Sequence, residues 1–264
     1  MTAPRGWCFD LDGTLYQGDS AIPGAAALLS GLRRAGIPFR CVSNTTSRSR
    51  RLIAERLARY GLEVLPDEIL TATLAGAAWL EAAGTHTIAP FVPEAALEDL
   101  AAFRLKGGTS GHRATTAADA VVLGDLGAAW TDTLLQEAFS MLMDGARFIA
   151  LSRDRYWHDG HRLVMDCGSY VAALEYATGR PPMLTGKPSA EFFRQVLASF
   201  GGGMHAEEVV MVGDDIRSDV GGAQGIGMRG WLVRTGKFDA AALEASGIRP
   251  DRVIASVAEL AGAL

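Results

Sequence analysis

Trp7-Cys8-Phe9-Asp10-Leu11-Asp12-Gly13-Thr14 is the stretch whose reading decides the fold. A short apolar run ends in two carboxylates one residue apart, followed by a glycine and a hydroxyl. An apolar run closed by a glycine turn reads as a buried strand emptying into a loop. In an open α/β sheet, ligands bind at the carboxyl ends of the strands. Residues i and i+2 of extended backbone point the same way, so Asp10 and Asp12 would project into one crevice. Two like charges that close raise each other's pKa unless a cation compensates. A hard cation with oxygen ligands, Mg²⁺ above all, is the natural partner. Asp-x-Asp-Gly is also a common turn and a fragment of a calcium loop. The calcium reading fails, because the twelfth position counted from Asp10 is Ala21 rather than Glu. Turn or catalytic site is then decided by what the rest of the chain supplies.

The 264 residues, 48% of them hydrophobic, suffice for one large domain or two of ordinary size, with a substantial core. A net charge of −5 without a basic block argues against a nucleic-acid partner. Cys8, Cys41 and Cys167 are far apart and show no CxxC spacing. They are expected to be reduced, buried thiols of a cytoplasmic protein. Asp10 and Asp12 interrupt the N-terminal region before a signal-peptide apolar segment forms, so no targeting segment is predicted. The weakly polar run 69–80 is too short to cross a bilayer, and no membrane partner is expected.

After the first strand, Ile22-Pro23-Gly24 introduces a helix over 25–35, with Leu28, Leu29 and Leu32 on one face. Residues 39–42 read as a second strand, ending in Ser43-Asn44-Thr45-Thr46. The next helix covers 49–60, its apolar Leu52, Ile53 and Leu57 set among charges. Strand, helix, strand, helix is the pattern of a parallel sheet covered by helices. Ser43-Asn44-Thr45-Thr46 reads on its own as a solvated loop and helix cap. In register with Asp10 it is a candidate anion-binding loop, with hydroxyl, amide and backbone donors.

The pattern restarts between about 80 and 182. Strands are predicted over 86–92, 120–123 and 148–151, and helices over 94–103, 131–144 and 169–178. A Gly/Ser/Thr-rich connection fills 106–116. This is enough alternating structure for a small α/β domain. The expected division is therefore 1–79 with 183–264 as one domain and 80–182 as an insertion. Within the insertion, Ser152-Arg153-Asp154-Arg155-Tyr156-Trp157-His158-Asp159-Gly160-His161 is polar and aromatic. Its His-Asp-Gly-His spacing around a glycine reads as a hairpin tip rather than a metal site, and a loop that selects substrate is the better functional expectation.

The first pattern then resumes. Thr185-Gly186-Lys187-Pro188 precedes a helix over 189–200, which Gly201-Gly202-Gly203 ends. Val209-Val210-Met211-Val212 is a strand buried on both faces, and it terminates in Gly213-Asp214-Asp215, with Asp219 four residues on. A strand over 230–233, a helix over 240–246 and a short strand at 253–254 close the chain.

With these four strand and loop ends in view, the sequence resembles the haloacid dehalogenase (HAD) superfamily of phosphohydrolases. Asp10-Leu11-Asp12-Gly13-Thr14 matches its first motif, Ser43 its second, Lys187 its third, and Gly213-Asp214-Asp215 with Asp219 its fourth. The resemblance implies an α/β fold: a HAD-like Rossmannoid parallel-sheet core with an inserted α/β cap domain of the class II arrangement. Ser43-Asn44-Thr45-Thr46, the run 170–179, Gly186-Lys187-Pro188 and Asp219-Val220-Gly221-Gly222-Ala223 are similar to the NagD-like subgroup. Leu174-Glu175-Tyr176-Ala177-Thr178 and Arg155-Tyr156 look most like the phospholysine phosphohistidine inorganic pyrophosphate phosphatase branch. Animal members of that branch can carry Ser where this chain has Asp12, a departure that favours ordinary phosphomonoester hydrolysis here.

The chemistry fits the residues. Phosphoryl transfer is largely positioning and charge neutralisation. Asp10 is the expected nucleophile, forming an aspartyl-phosphate. Asp12 is the expected acid to the leaving oxygen and then base to water. Mg²⁺ is expected on Asp10, Asp214 and the Asp12 backbone carbonyl, with Asp215 and Asp219 holding water or orienting the ligands. Ser43, the Asn44 backbone and Lys187 are expected to hold the phosphoryl oxygens. Asp154, Arg155, Tyr156 and Asp166 are the insertion residues expected to meet a small phosphorylated substrate, and a homodimer through the cap is a further expectation. The alternatives are a regulatory phosphate-binding protein on the same fold and another chemistry such as a mutase or dehalogenase. Retention of Asp12 and of the acidic fourth motif favours phosphoryl transfer.

Overall fold

Gly6–Asp10 is a strand buried along its whole length, as its apolar run dictates. The computed structural model describes residues 3–110, 118–158 and 162–261. The chain divides into two compact units, one of Met1–Ser43, Arg50–Leu70 and Lys187–Leu264, the other of Asn44–Ser49 and Thr71–Gly186.

The first unit is built on a six-stranded sheet. Its order is Arg252–Ile254, Arg229–Val233, Val209–Gly213, Gly6–Asp10, Phe39–Ser43, Ile69–Thr71. Gly6–Asp10 pairs parallel to both of its neighbours. The chain leaves this strand toward one side of the sheet and returns on the other, so Gly6–Asp10 stands at a topological switch point, where an open α/β sheet leaves a crevice. The helix Ala25–Arg34 buries Leu28, Leu29 and Leu32, as its spacing predicts. The helix Arg50–Arg59 buries Ile53, Ala54 and Leu57, while Leu52 is only half-buried. These faces meet Trp7, Phe9, Val210, Val212 and Trp231 in one continuous core.

The second unit carries a five-stranded sheet in the order Met183–Leu184, Arg147–Ala150, Ala120–Leu123, Thr87–Phe91, Arg104–Leu105, parallel throughout. Its two edge strands have two residues each, too short to leave an alternation in the sequence. The helix expected over 94–103 is a 3₁₀ helix, Glu94–Leu100. Ala72–Ala82 is a helix that periodicity does not reveal, because it is apolar on nearly every side and Ala72, Ala75, Gly76, Ala77 and Leu80 are all buried. It packs with Ile88, Val92, Val122, Ile149 and Leu151 of its own unit. The expected boundary at 79/80 cuts this helix; the unit as found runs from Thr71 to Gly186 and takes in Asn44–Ser49 as well. Tyr156–His158 and Leu163–Met165 pair antiparallel; residues 159–161, on which the expected hairpin tip falls, lie outside the described residues, as do residues 111–117 of the Gly/Ser/Thr-rich connection.

Cys8, Cys41 and Cys167 are free and buried, and burial pushes all three thiols well above the ordinary cysteine value. Among the described residues no helix is long and apolar enough to cross a membrane.

Candidate active site

Strand register brings the sequence-predicted acids to one level. Asp10 is paired with Val42, and Phe9 with Val212. Asp10, Ser43 and Asp214 therefore stand at the carboxyl ends of three adjacent strands, within about a residue of one another along the strand direction. The strand ends at Asp10, and the chain turns at once: the Leu11 carbonyl accepts from the backbone N–H of Thr14, Leu15 and Tyr16. The turn separates the two carboxylates of the first motif. Asp10 is buried and Asp12 is exposed.

The Asp10, Asp214 and Asp219 carboxylates form one buried group, with an oxygen from each within 4.8 Å of the others. The Asp219 carboxylate stands in the group itself rather than behind the ligands. Lys187 Nζ donates to Asp10 Oδ1 and, at 2.7 Å, to Asp219 Oδ1. Burial works against the charged form of Lys187, yet the two carboxylates outweigh it and hold its ammonium above the ordinary lysine value. Lys187 pairs with two of the three acids, and Lys237 acts on Asp214 against its burial without outweighing it. Burial, with the charges of Asp10 and Asp219 added, pushes Asp214 up to about 8. Burial also pushes Asp219 up to about 6, although Lys187 opposes it. A cluster of hard oxygen donors whose carboxyls resist ionisation without a further cation suits a divalent ion such as Mg²⁺.

Backbone without side chains makes room for these acids. A Cβ on Gly13 would meet Asp214 Oδ2 at 2.1 Å, and one on Gly236 would meet the same oxygen at 2.0 Å. Both glycines have positive φ, 83° and 62°, which favours glycine a second time. Lys237 N–H donates to Asp214 Oδ2 at 2.6 Å, and the Thr235 hydroxyl donates to the Gly13 carbonyl. Gly213 does for Asp219 what Gly13 does for Asp214, since a Cβ there would lie 2.2 Å from Asp219 Oδ2. Residues 235–237 escaped the sequence reading. The signal was present: they follow the buried strand Arg229–Val233, and a polar Thr-Gly-Lys at a strand end is the same cue that singled out Asp10, Ser43 and Asp214.

Asp215 turns away from the cluster. Its Oδ1 accepts from Arg217 and Ser218 N–H at 2.8 and 2.9 Å and caps the wide π-helical turn Ile216–Gly221. Its own N–H donates to Asp219 Oδ2 at 3.1 Å, so Asp215 fixes Asp219 through backbone. Ser43 and Asn44 are half-buried.

In the second unit, Asn44 Nδ2 approaches Asp154 Oδ2 at 3.4 Å. Asp154 is further fixed by its N–H on the Ser152 hydroxyl and its carbonyl on Gly168 N–H. Arg155 and Tyr156 are exposed. Asp166 caps the helix Cys167–Thr178 by accepting from Cys167 N–H at 2.6 Å.

The chain matches the family model described as haloacid dehalogenase-like hydrolase over residues 7–106, and a HAD-hydrolase-like model over residues 184–260. Human haloacid dehalogenase-like hydrolase domain-containing protein 2 is 39% identical to it, covering 88% of this chain and 84% of the relative. Human phospholysine phosphohistidine inorganic pyrophosphate phosphatase is 32% identical, covering 90% and 86%. At comparable coverage the first is the nearer of the two, which corrects the finer placement expected from residues 174–178. Among solved structures, p-nitrophenyl phosphatase from Archaeoglobus fulgidus superposes with a TM-score of 0.88 at 30% identity over 100% of both chains. NagD from E. coli K-12 does so with a TM-score of 0.85 at 28% identity over 98% of both. The chain belongs to the haloacid dehalogenase superfamily, as a phosphohydrolase of its NagD-like branch.

Proposed function

We propose that the protein is a Mg²⁺-dependent phosphatase that hydrolyses a small phosphorylated substrate through an aspartyl-phosphate on Asp10. The observation that carries this reading is the buried group of Asp10, Asp214 and Asp219, two of which, Asp10 and Asp219, pair with the buried Lys187. The carboxylates of Asp10 and Asp214 and the backbone carbonyl of Asp12 would hold Mg²⁺, which when bound neutralises charge on the acids and on the phosphoryl oxygens.

Asp10 attacks phosphorus, forming the Asp10–phosphorus bond as the bond to the leaving oxygen breaks. Asp12, exposed and therefore open to solvent and substrate, gives its proton to that oxygen. It then takes a proton from the water that cleaves the acyl phosphate, one residue serving as acid and then as base. Lys187 keeps Asp10 oriented and, with the Ser43 hydroxyl and the Asn44 backbone, offers donors to the phosphoryl oxygens.

The second unit is proposed as the cap that sets substrate choice. The chain passes into that unit after Ser43, returns at Arg50, enters it again at Thr71 and leaves it after Gly186, so Ser43 and Lys187 each border one of the four crossings. Phosphomonoesters, pyrophosphate and phosphoramidates are the substrate classes in view. The names of two relatives, a p-nitrophenyl phosphatase and a phospholysine phosphohistidine inorganic pyrophosphate phosphatase, support screening all three. The test is that screen with and without Mg²⁺, run beside Asp10→Asn. Mg²⁺-dependent phosphate release, lost in Asp10→Asn with its fold intact, is expected; wild-type turnover by Asp10→Asn rules the reading out.

A further inference from the structure

The exposed Asp12 needs a fixed place if it is to serve one oxygen and then another, and the turn that carries it is tied to a short hairpin. Tyr16–Gln17 pairs antiparallel with Ser20–Ala21. Tyr16 makes a β-bridge with Asp12, and the Tyr16 carbonyl accepts from Gly13 N–H at 2.7 Å. Two-residue strands hold little by themselves, so the hairpin depends on what grips it.

The grip comes from the helix Arg50–Arg59 of the same unit. The Arg56 guanidinium lies over the Tyr16 ring, 5.1 Å from its centroid, and 5.6 Å from that of Tyr60. Arg56 Nε donates to the Tyr60 hydroxyl at 2.7 Å, and a terminal nitrogen reaches the Gly18 carbonyl in the hairpin turn at 3.4 Å. The Tyr60 hydroxyl in turn donates to Asp19 Oδ1 at 3.1 Å, and the two tyrosine rings are 5.4 Å apart. A planar cation stacked on two aromatic rings while its edge bonds a hydroxyl and a carbonyl uses features that arginine has and lysine lacks. Burial, with the Asp12 charge added, pushes Tyr16 up to about 12, so its ring stays neutral beside the cation.

We propose that Arg56 is a positioning residue for Asp12: by gripping the hairpin Tyr16–Ala21 at the Tyr16 ring and the Gly18 carbonyl, with Tyr60 bonded to both Arg56 and Asp19, it fixes the turn from which Asp12 serves the leaving oxygen. The proposal rests on the reading of Asp12 as acid and base. A residue that acts through the acid matters most where the leaving oxygen needs a proton most.

The experiment compares p-nitrophenyl phosphate, a good leaving group, with glycerol 2-phosphate, a poor one. It uses wild type, Arg56→Ala, Arg56→Lys, Tyr60→Phe, Asp12→Asn and the double variant Arg56→Ala/Asp12→Asn. Arg56→Ala is expected to lower kcat on glycerol 2-phosphate roughly tenfold, a fraction of what general acid catalysis supplies, with KM nearly unchanged. Its loss on p-nitrophenyl phosphate should be within about threefold. Arg56→Lys should recover only part, and Tyr60→Phe should show the same leaving-group bias in milder form, which keeps the test open if Arg56→Ala folds poorly. In the Asp12→Asn background, removing Arg56 should cost nothing further, because the two act as one unit. Equal losses on both esters, or full additivity in the double variant, overturn the proposal while leaving the role of Asp12 standing. If Asp12→Asn itself shows no leaving-group bias, the reading of Asp12 fails and the proposal with it.

Discussion

Lys187 donates to Asp219 Oδ1 at 2.7 Å with the same ammonium that it gives to Asp10, so one buried cation holds two buried acids. Removing one partner of a buried charge pair strands the other, which costs about 3–5 kcal/mol. Lys187→Met is expected to destabilise the fold by about that amount. Adding Asp219→Asn should recover part of the loss, since one fewer buried charge is then uncompensated. Urea unfolding of the two variants checks this, and a double variant less stable than the single one would contradict it.

The raised carboxyls make a prediction about pH. Asp214 near 8 and Asp219 near 6 keep their protons in the folded chain after the unfolded chain has lost them at about 4. Between about pH 4 and pH 8 the folded state therefore binds more protons, and its stability falls as pH rises through that window. Urea midpoints at several pH values in EDTA should show this fall. Mg²⁺, or Asp214→Asn, should flatten it, because each removes uncompensated charge from the cluster. A slope unchanged by either would mean that these acids are not its source.

Gly236 faces the Asp214 carboxylate with a bare backbone, and a Cβ there would meet Oδ2 at 2.0 Å. Gly236→Ala should push the carboxylate aside and raise the Mg²⁺ concentration needed for half-maximal activity by roughly tenfold, an effect of order 1.4 kcal/mol. The positive φ adds about 1 kcal/mol of instability. Mg²⁺ titration of activity beside circular dichroism separates the two effects. An unchanged Mg²⁺ requirement would exclude Gly236 from the metal cradle.

Ala substitution of Asp154, Arg155, Tyr156 and Asp166 should cost little on a small chromogenic ester and much on the best substrate from the screen. Asp166 caps a helix, so its Ala variant should also lose about 1 kcal/mol of stability. The comparison is kcat/KM on both substrates for each substitution. Equal losses on both, or none on either, would count against a specificity role for this segment.

The sequence made the site legible where chemistry broke a pattern. Asp10, Ser43 and Asp214 each interrupt an apolar strand, and parallel register then carries them to one end of one sheet. It was silent where no pattern was broken. Ala72–Ala82 is buried nearly all round, so it has no polar face to show its period. The distinction between Asp10, buried, and Asp12, exposed, depends on where the strand stops and the turn begins, a matter of two residues. The place of Asp219 beside Asp10 follows from the π-helical turn capped by Asp215, a geometry that residue spacing alone does not encode.

In the proposed reaction Asp10 carries the phosphoryl group. The most direct test is acid-quenching of the enzyme during turnover of the best substrate, followed by mass spectrometry of the peptide containing Asp10. A phosphoryl group on Asp10 is expected in the wild type, released by hydroxylamine, longer-lived once formed in Asp12→Asn and absent from Asp10→Asn. Steady turnover with no phosphorylated Asp10 at any quench time, in wild type and in Asp12→Asn alike, would contradict it.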